Sequence, residues 1–199
     1  MTYLANLRLM DRVGEDAGSG SHLRNEIEIR PLTADDVEAY WHCRLEALER
    51  DPEAFSSSVE DHLQLSRDEI RRRLTADPAN NFVLGVFVNG QLRGTAGFVR
   101  ESQPKMRHKG RIWGVYLNAE LRGKGIGRAL LEAVLERARR IEGVEQILIS
   151  VAVTQDVAVA LYRSLGFTTW GRESRALKIG ELYIDEEYMI LRLAGQSDP

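Results

Sequence analysis

What this 199-residue chain lacks narrows its class before any motif is read. It holds one cysteine, Cys43, so no internal disulfide can form, and a reducing, cytoplasmic setting is expected. Its four histidines, His22, His42, His62 and His108, are scattered in a way that matches no zinc pattern, so no metal is expected. No apolar run approaches the ~20 residues that a membrane-spanning helix needs. Arg8, Asp11 and Arg12 break up the first residues before a signal-peptide core could form. Neither sign of charge dominates, with 27 basic against 30 acidic residues, which leaves no broad positive field for nucleic acid or an anionic membrane. No internal repeat is present, and the length suits one domain of moderate size.

What is present reads as alternating strands and helices. Residues 26–32 alternate polar and apolar side chains as a half-buried strand does. Thr33 is then a good helix N-cap, with Asp35 and Asp36 in the favourable first turn and Leu32 able to staple to Val37. The stripe Val37, Tyr40, Trp41, Leu45 and Leu48 carries that helix to about Arg50. Residues 54–60 read as a polar linker, and Ser66 with Glu69 announces a second helix as a capping box. Two apolar runs, 82–88 and 92–99, are joined by Asn89-Gly90, the strongest short hairpin signal in the chain. A polar loop, 101–110, leads to a strand over 111–117 and a long helix from Ile126. A buried strand over 146–151 follows, then a helix over 155–165 ended by Gly166. Residues 167–171 and 182–193 read as closing strands separated by the charged segment 172–181. The order predicts an α/β fold, a three-layer sandwich around a mixed, mostly antiparallel sheet with one strand-helix-strand crossover. Residues 1–25, small and polar over 14–21, are expected as a mobile extension, with a short helix over 3–13 as an option; the domain is expected over 26–193 and a tail over 194–199.

The crossover is where chemistry is expected. Gly123, Gly125 and Gly127 remove side chains at alternate positions just before a helix whose apolar stripe is Ile126, Ala129, Leu130, Ala133, Val134, Ala138 and Ile141. The leading amides of that helix have no intrahelical partner, its dipole is positive there, and no Ser, Thr, Asp or Asn beside Gly125 offers a cap, so the turn suits an anion such as phosphate. It is not a P-loop, since Arg128 and Ala129 follow Gly127. Nor is it a dinucleotide fingerprint, since the glycines fall as G-x-G-x-G.

Three stretches resemble the GNAT superfamily of acyl-CoA-dependent N-acetyltransferases. They are Arg122-x-x-Gly125-x-Gly127 after Val115-Tyr116-Leu117, then Ala158-x-x-Leu161-Tyr162-x-x-x-Gly166-Phe167, and then Tyr183-Ile184-Asp185-Glu186-Glu187-Tyr188-Met189. The element order over 26–193 is also that of the GNAT fold. The resemblance implies acetyl-CoA as donor, with its pyrophosphate on the turn of Arg122, Gly123, Lys124, Gly125, Ile126, Gly127 and Arg128. Its pantetheine arm would lie along the strand edge at Val115, Tyr116 and Leu117 in a splay between strands, with Gln155 near the arm where many members have Asn. Tyr162 matches the family's general acid. The reaction implied is direct attack of a primary amine on the thioester in a ternary complex, with a small-molecule amine as acceptor.

Some peptide N-terminal acetyltransferases of the family place a glutamate base where this chain has Ser150, which disfavours a protein N-terminus or lysine as acceptor. Glu60, Glu101 and Asp156, or a water chain, are candidates for the base. A non-catalytic acyl-CoA-binding sensor is the reading from another class. Two segments, 54–65 with Glu60 and Asp61 and 172–181 with Arg172, Arg175 and Lys178, are expected to clamp an acceptor that carries both an amine and a carboxylate. A homodimer through the closing strands is also considered.

Overall fold

The computed structural model describes residues 7–9 and 26–193. Eight strands form one sheet in the order β1-β2-β3-β4-β5-β6-β8-β7. The strands are β1 (Leu7–Leu9), β2 (Ile27–Pro31), β3 (Asn81–Val88), β4 (Gln91–Arg100), β5 (Lys109–Leu117), β6 (Gln146–Ala152), β7 (Thr168–Ile179) and β8 (Leu182–Arg192). Every neighbouring pair is antiparallel except β5 with β6. The helices are α1 (Val37–Arg50), α2 (Val59–Leu63), α3 (Arg67–Thr75), α4 (Ile126–Arg139) and α5 (Asp156–Ser164). Leu7–Leu9 forms a strand against β2 and not the helix considered over 3–13; the rest of the expected extension, and the tail over 194–199, lie outside the described residues.

Alternation along β3 shows why there are three layers. Phe82, Leu84 and Val86 join one core with α4 and α5, whereas Val83 and Phe87 join another with α1 and α3. A strand buried on both faces must be apolar along its buried length, as this one is from Phe82 onward. On one face α4 buries Ile126, Leu130, Leu131, Val134 and Leu135, each worth about 1.5–3 kcal/mol relative to exposure. On the other face Val37, Tyr40, Cys43, Ala47 and Leu48 of α1 are buried. Burial, then nearby Glu46, pushes the Cys43 thiol up to about 12, so it is inert packing.

Local signals hold where the chain decides locally. Asn89 and Gly90 both take positive φ, 49° and 79°, as a two-residue hairpin turn requires. Thr33 with Asp36 and Ser66 with Glu69 each close a reciprocal capping box. Burial works to raise the Asp36 pKa, but Arg30 and the Thr33 amide outweigh it and hold this carboxylate below its ordinary range. Leu32 and Val37 pack in the same cluster.

Two differences from the sequence reading stand out. The expected linker over 54–60 contains the start of α2, capped by Ser58 and Asp61, and His62 anchors that short helix through a 2.9 Å hydrogen bond between its Nε2 and the Trp41 carbonyl. The segment 172–181 is largely strand. β7 runs on to Ile179 with register shifts at 169/171 and 173/177, and Arg175 takes φ 59° at the second bulge. Its charged side chains gave no strand signal because the hairpin projects into solvent, exposing Trp170, Ile179, Leu182 and Tyr183.

Candidate active site

The sheet splits in the middle. β5 and β6 pair only over residues 109–111 and 146–148, after which the strands separate. On its other side β5 stays bonded to β4 as far as Leu117, with an irregularity between Thr95 and Gly97 opposite Gly114, whose φ is 62°. The far edge of β5 from Trp113 to Leu117 is therefore free, and it opens on a cleft of about 510 Å³. That cleft gathers Val115, Tyr116, Leu117, Arg122, Gln155 and Tyr162, which lie far apart in sequence. Gly123, Lys124, Gly125, Ile126, Gly127 and Arg128 are not among its lining residues. They form the turn and first helical turn that follow β5 after the short 3-10 turn Ala119–Leu121.

The glycines of that turn differ in kind. Gly123 and Gly125 take φ 75° and 78°, and a Cβ at either would meet nothing within 4 Å, so these backbones face open space. Gly125 is the N-cap of α4 and receives no side-chain hydrogen bond, which leaves the first-turn amides to an outside acceptor. Gly127 has an ordinary helical backbone, and a Cβ there would sit 3.7 Å from Leu161 and 3.8 Å from Leu117. The Ile126 side chain points into the core. Arg122 uses its guanidinium on the Leu117 carbonyl at 2.9 Å and on Asp51, pinning the end of β5 to the end of α1. Arg128 bonds Ser164 at 2.6 Å and Glu132. The turn thus offers amides rather than free guanidinium groups.

Tyr162 is buried between α5 and the core, 6.2 Å from the Phe167 ring, and reaches the cleft. Burial raises its pKa far above the ordinary phenol value, so it keeps its proton at neutral pH. Tyr116 donates its hydroxyl to Glu46 at 3.1 Å; its side chain is structural, and its backbone lines the strand edge. Of the carboxylates considered as bases, Glu60 is exposed, Glu101 pairs with Arg111 at 3.4 Å, and Asp156 lies in the exposed first turn of α5. None lines the cleft. Glu186 on β8 does, and its pKa is raised by burial first and then by Glu173 across the hairpin. It falls within the third resembling stretch, but only the fold shows that it faces inward beside Ser150 and Tyr188.

The expected clamp does not assemble. Asp61 caps α2, Arg172 pairs with Asp185 at 2.8 Å, and Arg175 and Lys178 lie over the Tyr183 ring at 3.7 and 5.2 Å. Neither these residues nor Glu60 line the cleft.

Residues 40–167, more than half of the chain, match the model of the Acetyltransferase (GNAT) family, and the chain belongs to that family. It is 30% identical over 142 residues to the mycothiol acetyltransferase of Salinispora arenicola, covering 71% of this chain and 43% of that protein. It is 36% identical over 108 residues to the N-alpha-acetyltransferase RimI of Mycobacterium tuberculosis, covering 54% of this chain and 64% of that one. The chain therefore spans less than two thirds of the length of either relative. In fold it matches yncA of Salmonella typhimurium, solved with its cofactor acetyl-CoA, at a TM-score of 0.73 and 24% identity, over 87% of this chain and 97% of the other. Among the described residues no helix is long and apolar enough to cross a membrane.

Proposed function

We propose that this protein transfers the acetyl group of acetyl-CoA to the primary amine of a small molecule by direct attack in a ternary complex. The observation that carries the reading is the free edge of β5 running into an uncapped helix N-terminus whose entry residue, Gly125, has positive φ. An elongated ligand with amides at one end and phosphates at the other complements that surface. Acetyl-CoA supplies an acyl carbonyl activated by a thiolate leaving group.

The chain's own groups have separable tasks. Amides from Gly123 to Arg128 hold phosphate, and edge groups from Val115 to Leu117 hold the arm. A β5 N–H near Leu117 donates to the carbonyl oxygen as it gains charge. Glu186 accepts a proton from the acceptor's ammonium; its raised pKa makes it a better base than an exposed carboxylate. As the new C–N bond forms and the C–S bond breaks, Tyr162 gives its proton to the departing sulfur. Ser150 in place of a glutamate, and the wall that residues 54–57 build on the cleft, favour a small acceptor over a peptide N-terminus.

The test is thermal unfolding with and without acetyl-CoA, followed by thiol release with a panel of amines and N-terminal peptides. A ligand-dependent rise in midpoint that Gly125→Val abolishes, with turnover of a small amine, is expected. No shift overturns the cofactor site, a shift without turnover makes the protein a sensor, and a lead by peptides moves the acceptor to protein N-termini.

A further inference from the structure

Arg44 is a half-buried cation with no counterion among the described residues. It projects from the middle of α1 into the cleft, where it lies beside Phe55, Ser56, Ser57, Trp113 and Gly114. Its Nη1 is buried with no hydrogen-bond partner. Among the described residues no ion pair or hydrogen bond reaches its guanidinium, and what it has is the Phe55 ring, 4.1 Å from its carbon to the centroid. The nearby carboxylates are committed elsewhere. Glu46 accepts from Asn118 at 2.6 Å and from Tyr116, and pairs with Arg50 at 3.2 Å; Asp51 holds Arg122. Burial pulls the Arg44 pKa down, Tyr40 acts against it, and the positive charge of Arg73 adds to the fall. A guanidinium remains charged even so.

A buried guanidinium nitrogen without a hydrogen bond is costly, and stacking on Phe55 offsets only part of that cost. Such a group persists where something outside the chain completes it. The planar fork of Arg44 fits a carboxylate in two-point contact. The β5 backbone passes close by at Gly114, where a Cβ would lie 3.9 Å from Nη1. Glu186, which lines the same cleft, is of the sign that suits an ammonium.

We infer that Arg44 binds the carboxylate of the acceptor, so that the substrate class is a primary amine carrying a carboxylate, as in an amino acid. This rests on the acetyltransferase reading for the amine, but not for the carboxylate site itself, and the two are tested apart.

The first measurement is thiol release from acetyl-CoA with the common amino acids and with their α-amides, for wild-type protein, Arg44→Lys and Arg44→Met. Carboxylates should lead their amides by at least about 10-fold in kcat/KM. Arg44→Met should raise KM for the carboxylates by a similar factor, with amides little changed and the acetyl-CoA thermal shift kept. Arg44→Lys should fall between. A structural arginine would lower the unfolding midpoint when replaced; an arginine awaiting a ligand gives Arg44→Met a midpoint equal to or above wild type. The second measurement needs no turnover: the thermal shift from N-acetyl amino acids against their amides in the presence of CoA. A shift that needs both the carboxylate and Arg44 upholds the site even if no amine is acetylated. Equal response to acids and amides, a lower midpoint for Arg44→Met, or loss of its acetyl-CoA shift overturns the inference.

Discussion

Along its first three residues β5 is hydrogen-bonded on both sides, to β4 and to β6; a few residues later it is bonded to β4 alone and its other edge faces the cleft. Each end has a glycine, for opposite reasons. At Gly110 the missing side chain is filled by the Phe98 ring, which would lie 2.2 Å from a Cβ, and Phe98 itself stacks on Phe82 at 5.2 Å with no exposure. At Gly114 there is room for a side chain, and what the glycine supplies is a φ of 62°. One strand thus holds a packing joint and a functional edge, and the difference shows that a glycine's role is set by its surroundings and not by its motif.

The largest effect should come from breaking the packing end. Gly110→Val drives Phe98 from the centre of the core and should cost on the order of 3 kcal/mol in denaturant unfolding. If the midpoint barely moves, the ring has more freedom than this packing allows. Tyr162→Phe tests the functional end. It should lower kcat by about 10²-fold, or about 2.7 kcal/mol in barrier, while leaving the acetyl-CoA thermal shift and the stability intact. Unchanged turnover would return Tyr162 to packing alone.

Gly114→Ala should cost about 1–2 kcal/mol in stability from backbone strain without any clash, plus a loss of turnover; a stability loss as large as at Gly110 would erase the contrast between the ends. Smallest and most specific is a pH effect. With its folded pKa raised, Glu186 binds protons more tightly in the folded than in the unfolded chain, so stability declines as pH rises through the interval between its unfolded and folded values. Glu186→Gln should flatten that decline and remove the acid limb of kcat/KM, and profiles that superimpose on wild type would exclude it as the base.

Much of the frame was legible because it is written in local chemistry. Asn89-Gly90, the Thr33 and Ser66 caps and the stripe of α4 each specify dihedrals or a face within a few residues. The glycine turn was marked by its spacing before a helix, and Tyr162 only by the resemblance of its stretch to the GNAT family. What could not be read depends on partners distant in sequence. α2 is five residues long and leans on the Trp41 carbonyl through His62. The outer half of β7 is charged and exposed, and only pairing with β8 makes it a strand. Arg44 and Glu186 look like ordinary charges in a helix and a strand, since neither burial nor the lack of a counterion is visible before the chain folds. The acceptor clamp failed for the same reason: Asp61 is taken up by the α2 cap, Arg172 by Asp185, and Arg175 and Lys178 by the Tyr183 ring.

The three residue pairs that join β5 to β6 have a mechanical meaning. They form a short seam, and beyond it the two halves of the sheet share a core with α4 and α5. A molecule lying along the free edge of β5 would work as a splint across that seam, supplying rungs the ladder omits, and the part of the fold that closes around substrate would be stiffest only while its ligand is in place.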